Sequence, residues 1–181
     1  TGYIDGKKCH CFRRMEIEIL YDQSNIRERL EKENFDTLSM EYYDRETVDG
    51  KTGMTVYEYM SMVIEECRAF VESFEEEKGS ILFTGNTGCG KTFLSSCIAR
   101  ELIRRCYSVV YLTATDLFDI LSDSRFGNRE EEEAKDRAAY ILDCDLLIID
   151  DLGTELINTF TVSQLFYCVN ERLNRKKGTI I

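Results

Sequence analysis

The chain contains no proline among its 181 residues, so no helix in it is kinked or stopped by that residue. It also lacks any apolar run approaching the ~20 residues of a membrane-spanning helix. The N-terminus has no basic segment leading into an apolar one, so a secretory signal of the usual form is not expected. On these grounds the chain is expected to be cytoplasmic. Positive charge is scarce: 23 Lys and Arg stand against 34 Asp and Glu, for a net charge of −11. Residues 1–80 hold 11 basic against 19 acidic side chains, and residues 81–181 hold 12 against 15. A self-sufficient nucleic-acid binder is normally basic. Any contact with nucleic acid must therefore be local, assisted by partners, or formed in an assembly.

What is present is an apolar fraction of 43%, enough to bury a core, over a length that fits one full domain with a smaller appendage. Eight cysteines in a chain of this kind read as thiols or metal ligands rather than disulfides. Cys97, Cys106, Cys144 and Cys168 lie on or beside apolar patterns and are expected in the core.

The most specific stretch is Gly85-Asn86-Thr87-Gly88-Cys89-Gly90-Lys91-Thr92, a complete G-x-x-x-x-G-K-[ST] phosphate-binding loop. The apolar Ile81-Leu82-Phe83 precedes it and a helical pattern from Phe93 to Arg105 follows. That order of strand, loop and helix is the context the pattern needs. The glycines let backbone N–H groups curl around phosphates without Cβ clashes, and the following helix points its positive end at the anion. Lys91 is placed to reach the β- and γ-phosphates, and the Thr92 hydroxyl to ligate Mg²⁺. Cys89 lies inside the loop at a helix N-terminus, a setting that lowers a thiol pKa, and is assigned no catalytic role.

A second element is Leu146-Leu147-Ile148-Ile149-Asp150-Asp151. Four apolar residues in a row read as a strand buried on both faces of a parallel sheet, and ligands bind at the C-terminal ends of such strands. Asp150 is then the acid that holds the metal, and Asp151 the acceptor that polarises an attacking water.

Around these elements the chain falls into three regions: residues 1–14, polar with Cys9-His10-Cys11; residues 15–78, acidic and mainly helical; and residues 79–181. Thr55-Val56-Tyr57-Glu58 has the spacing of a capping box. It opens a helix whose apolar face is expected to run through Tyr59, Met62, Val63, Cys67, Phe70 and Phe74. Phe35, Leu38, Tyr42 and Tyr43 read either as a clamp for a partner or nucleotide or as core and linker-packing residues. From Ser80 on, strands and helices alternate. The expected strands are Ser80–Thr84, Val109–Leu112, Leu146–Asp150 and Thr179–Ile181; the expected helices are Lys91–Cys106, Asp116–Asp123, Glu130–Asp143 and Thr161–Arg175. Such alternation implies an α/β fold, a parallel sheet with helices on both faces.

With these stretches in view, the chain resembles the DnaC/DnaI-type bacterial helicase loaders, a branch of the AAA+ ATPases close to the IstB transposition helpers. The resemblance rests on Gly85–Thr92 with Phe93-Leu94, on Asp150-Asp151-Leu152-Gly153-Thr154-Glu155, and on Asn170-Glu171-Arg172-Leu173 leading to Gly178–Ile181. The last two stretches are more specific to this branch than the phosphate loop is. The resemblance implies a P-loop AAA+ (ASCE) three-layer core over residues 79–181. A helical linker or partner-docking region at 15–78 would precede it, after the remnant of a zinc-binding module at 1–14. Lys91 and Asp151 would be catalytic, and Gly85, Asn86, Thr87, Gly88, Cys89, Gly90, Lys91, Thr92 and Phe93 would line the nucleotide. Thr92 and Asp150 would hold Mg²⁺, and Cys9 and Cys11 would be half of a Zn²⁺ site. The aspartate at Asp151 departs from the glutamate more usual in AAA+ proteins. The sensor-1 residue, arginine finger and lid are expected beyond Ile181.

The same resemblance implies ATP-dependent loading of the replicative helicase onto single-stranded DNA. ATP and ADP would be the nucleotides, a helicase the partner, and self-association would run through the AAA+ region. Arg125 and Phe126 lie where such loaders touch single-stranded DNA, by pairing and stacking; Phe126 reads equally as a packing residue. The rival readings are an IstB-like transposition helper and a module that binds ATP without hydrolysing it.

Overall fold

The structure is a computed structural model that describes residues 3–4, 7–8, 26–126, 131–153 and 159–181. Strands Tyr3–Ile4 (β1) and Lys7–Lys8 (β2) pair antiparallel, Tyr3 opposite Lys8. From Ile26 on, the elements are α1 (Ile26–Lys32), α2 (Val56–Ser73), β3 (Ser80–Ile81), α3 (Lys91–Arg104) and β4 (Val109–Thr113). They continue through α4 (Ala114–Phe126), α5 (Glu131–Asp143), β5 (Leu146–Asp150), α6 (Thr159–Asn174) and β6 (Gly178–Ile180).

Strand β5 shows how the core is divided. Its side chains alternate between the two faces of the sheet. Leu146 and Ile148 join a cluster with Leu30, Ile64, Phe74 and Ile98, whereas Leu147 and Ile149 join one with Leu117, Ile141 and Cys168. The continuous apolar run is thus a strand buried on both sides, as parallel strands under helices are. Helices α1, α2 and α3 cover one face and α4, α5 and α6 the other. Cys97, Cys106, Cys144 and Cys168 are all buried, as is Cys67. No described helix is long and apolar enough to cross a membrane.

The four core strands are parallel in the order β3-β6-β5-β4. Strand β6, last in sequence, is inserted between the strand before the phosphate loop and the one ending in Asp150. The β3–β6 ladder continues past Ile81, through Ile181 N–H to the Ile81 carbonyl (3.0 Å) and Phe83 N–H to the Ile181 carbonyl (2.7 Å). Gly178 permits β6 to sit this close to α2. A Cβ there would lie 2.8 Å from the Phe74 ring and 3.0 Å from the Gly79 carbonyl.

The capping box forms as expected. Glu58 N–H donates to Thr55 Oγ1 (3.2 Å), and Thr55 N–H donates to Glu58 Oε2 (2.8 Å). The buried face of α2 is only partly the expected one: Cys67 and Phe74 are buried and Val63 and Phe70 pack on the core. Met60, Ile64, Cys67 and Val71 turn inward, while Tyr59 and Met62 stay about half exposed, at 51% and 49%. The helix carries two adjacent apolar stripes that share Cys67 and Phe74. The stripe of Met60, Ile64, Cys67 and Val71, at i, i+4, i+7 and i+11, packs against the neighbouring elements and leaves Tyr59 and Met62 partly in solvent.

Arg172, from the Asn-Glu-Arg-Leu stretch, is fully buried, and among the described residues its bonding partners are carbonyls, a hydroxyl and a thiol. Its guanidinium donates to the Ile141 and Gly178 carbonyls, to Thr179 Oγ1 (3.1 Å) and to Cys144 Sγ (3.2 Å). One side chain therefore ties the end of α5, the start of β5 and strand β6 to α6.

Candidate nucleotide-binding site

The loop Gly85–Thr92 leaves the sheet at β3 and enters α3 at the C-terminal ends of the parallel strands. Gly88 and Gly90 have φ of 82° and 99°, in the left-handed region that favours glycine. A Cβ on Gly90 would come within 3.1 Å of the Tyr43 hydroxyl. Gly90 is also the N-cap of α3 and offers no side-chain cap. The first N–H groups of the helix are therefore left for a ligand, and their dipole favours an anion. Lys91 folds back over the loop, its ammonium donating to the carbonyls of Gly85 (2.8 Å) and Asn86 (2.9 Å) and lying 3.8 Å from Cys89 Sγ. A cation at the mouth of a loop of this shape is placed to exchange those carbonyls for phosphate oxygens. Asn86 and Thr87 are exposed, and Cys89 and Phe93 half-buried.

The fold brings the loop to the doubled aspartate. Thr92 Oγ1 donates to Asp150 Oδ1 at 3.0 Å across 58 residues of sequence. That pairing of a hydroxyl and a carboxylate beside the loop is the donor set Mg²⁺ prefers, hard oxygens next to phosphates, so the residues present fit the metal. Asp151 follows in a left-handed conformation (φ 57°) and is exposed. A non-glycine residue there stores roughly 1–3 kcal/mol of strain and is found most often at functional sites.

Two further residues hold Asp150, neither of them anticipated from the sequence. Tyr111 on β4 donates its hydroxyl to Oδ2 at 2.7 Å, and Arg29 on α1 donates to the same oxygen at 3.3 Å. The Asp151 N–H adds a bond to Oδ1 at 3.1 Å. Burial works against the Asp150 charge. The bonds from Tyr111, Thr92, Arg29 and the Asp151 amide outweigh it and keep the carboxyl below its ordinary pKa. Burial, with the bond to Asp150, pushes the Tyr111 phenol well above its usual value, so it remains a donor. Tyr111 could have been suspected from strand alternation, since it lies in register with Ile148. Arg29 carries no local signal, because its partner is 121 residues away.

A cleft of about 580 Å³ opens beside Thr92, Asp150 and Asp151 and runs along β4 towards Ile103, Ile120 and Tyr140. Of the four residues read as a clamp or as packing, Phe35 is buried, and Leu38 and Tyr43 pack on the core. Tyr42 is 88% exposed. Arg125 and Phe126 occupy the last turn of α4, their side chains outside the described part of the structure. Cys9 and Cys11 also lie outside the described residues.

The chain is 29% identical over 118 residues to the replicative helicase loader DnaC of Escherichia coli (strain K12), covering 64% of this chain and 46% of that protein. It is 33% identical over 100 residues to an ATP-binding protein of insertion sequence IS5376 from Geobacillus stearothermophilus, covering 55% of this chain and 38% of that protein. The chain thus spans about half the length, or less, of these relatives. Among solved structures, the DnaC helicase loader superposes with a TM-score of 0.61 at 22% identity, over 84% of this chain and 77% of that one. The α/β fold is accordingly that of the solved DnaC helicase loader. Residues 51–181 match the profile of the IstB-like ATP binding proteins, and with the loop, the paired aspartates and the sheet order in place, the chain belongs to that family.

Proposed function

We propose that this chain is the ATP-driven part of a loader that places a replicative helicase on single-stranded DNA. The observation that carries the nucleotide half of this reading is the Thr92–Asp150 contact at 3.0 Å beside the Lys91 loop. It assembles a metal-nucleotide site from two distant stretches. The helicase half is supported by the relatives named as helicase loaders.

Lys91 leaves the Gly85 and Asn86 carbonyls to pair with the β- and γ-phosphates, and the α3 N–H groups hold the phosphate chain. Thr92 and Asp150 hold Mg²⁺, which when bound neutralises charge on the phosphate oxygens. Asp151 accepts a hydrogen bond from water and aims it at the γ-phosphorus. The water oxygen bonds to the γ-phosphorus and gives up a proton, the bond from that phosphorus to the β–γ bridging oxygen breaks, and ADP and inorganic phosphate leave. ATP binding would order the loader on helicase and DNA, and hydrolysis would reset it.

A second reading has a specific support of its own. The relative encoded by an insertion sequence favours an ATP-dependent helper of a transposase. Lys91→Ala is expected to abolish ATP binding and, in the whole protein, helicase loading. Loading that persists unchanged would sink the proposal. Capture of a transposase in place of a helicase by the purified protein would select the second reading.

A further inference from the structure

The Arg29 guanidinium lies between two carboxylates. It donates to Glu33 at 2.9 Å, one turn along α1, and to Asp150 at 3.3 Å. Its plane covers the Tyr111 ring, with 4.7 Å to the centroid, and that Tyr111 hydroxyl donates to the same Asp150 oxygen. Glu33 in turn accepts from Ser96 Oγ at 2.7 Å, on the second turn of α3. The side chains of Arg29 and Asp150 are only 31% and 15% exposed, so solvent screens their interaction incompletely.

From this geometry we infer that Arg29 is a positioning residue that competes with Mg²⁺ for Asp150 and so couples metal-nucleotide binding to helix α1. The inference rests on the nucleotide reading above. A fixed cation and a divalent metal cannot share one carboxylate without mutual repulsion. When Mg²⁺ claims Asp150, Arg29 keeps a ready partner in Glu33. The guanidinium spans both carboxylates at once, and the metal would leave it with Glu33 alone. Linkage makes the effect reciprocal: whatever factor the Arg29 contact costs in Mg²⁺ affinity, Mg²⁺ costs the contact. Helix α1 lies upstream of α2 and the core sheet. Its hold on the site therefore gives the N-terminal part of the chain a direct report of whether metal-bound nucleotide is present.

The test uses the full chain, a fluorescent ATP analogue and a Mg²⁺ titration, with hydrogen exchange of residues 26–32 as a second readout. Arg29→Met should lower the Mg²⁺ concentration for half-maximal analogue binding by roughly 5–10-fold, at the low end of typical couplings because the pair is partly exposed. Arg29→Lys keeps the charge but not the fork that spans Glu33 and Asp150, and should fall between Arg29→Met and wild type, whereas Arg27→Met on the same helix should stay near wild type. Glu33→Gln removes the charge of the alternative partner and should shift the requirement the opposite way. In the wild type, α1 amides should exchange faster with ATP and Mg²⁺ than with ATP and EDTA, and Arg29→Met should erase that difference. An unchanged or raised Mg²⁺ requirement in Arg29→Met, with analogue binding intact, overturns the coupling alone. A wild type that binds no analogue with or without Mg²⁺ overturns the nucleotide reading and this inference together. Leu30 on α1 is fully buried and unchanged in these variants, so the helix is expected to stay docked.

Discussion

Replacing Arg172 by Met removes the guanidinium and keeps an apolar stem of similar length. Three oxygens lose a donor at once: the Ile141 carbonyl, the Gly178 carbonyl and Thr179 Oγ1. All three belong to elements around β5 and β6, where water has no access, since Arg172 itself is fully buried. At about 1 kcal/mol net for each lost bond, the direct loss is about 3 kcal/mol. Against this stands the relief of desolvating a charge, which can make apolar replacements of buried ionic groups neutral or stabilising. Here that relief is offset because the three bonds come from a charged donor, and such bonds are worth roughly twice neutral ones. The net expectation is a loss of about 2–4 kcal/mol, or a melting midpoint lower by roughly 4–16 °C for a domain of this size. Thermal and urea unfolding followed by circular dichroism measures both. Arg172→Lys is the control. One ammonium cannot reach acceptors on α5 and β6 together, so it should lose nearly as much as Met. A Met variant within 1 kcal/mol of the wild type, or more stable, would refute the view that this side chain ties the helical layer to β6.

Asp145 supplies a pH prediction. Burial opposes its charge, but bonds from Lys78 and from the Ser108 N–H and hydroxyl outweigh that and bring the carboxyl from 3.8 down to about 2. At about 1.36 kcal/mol per pH unit this corresponds to about 2 kcal/mol of stability. Because the folded value is the lower one, that contribution is complete above pH 4 and is lost as the pH falls through 2. Urea midpoints of wild type and Asp145→Asn should therefore converge across this window, and a gap that stays constant would contradict the assignment. At the nucleotide site, Asp151→Asn should leave ATP affinity close to wild type while lowering turnover on the order of 10²–10⁴-fold, measured by phosphate release. Equal loss of binding and turnover would mean that Asp151 serves binding and not water activation.

The phosphate loop, the buried strand and the capping box were readable because each is specified within a few residues. The glycines meet a local demand for positive φ, the period of the apolar pattern separates strand from helix, and Thr55 and Glu58 satisfy each other's backbone. The α/β class followed from the order of those elements. The face of α2 was readable only in part: Val63, Cys67, Phe70 and Phe74 lie against the core as read. Two stripes of similar apolarity run along it, and only contact with the rest of the core distinguishes Met60 and Ile64 from Tyr59 and Met62. Phe35, Leu38, Tyr42 and Tyr43 were indistinguishable in the sequence for the same reason. The fold buries Phe35, packs Leu38 and Tyr43 and leaves Tyr42 in solvent.

By itself, then, the amino-acid sequence determined that a phosphate-binding loop and a strand ending in two acids exist, and that parallel strands under helices carry them. Tertiary structure alone decided that β6 lies between those two strands, that Thr92 meets Asp150, and that Arg29 and Tyr111 converge on the same carboxylate. The physical reason is range. Backbone conformation and periodicity act over a few residues, whereas these contacts join groups 39 to 121 positions apart. Only the packing of both layers against the sheet brings them together.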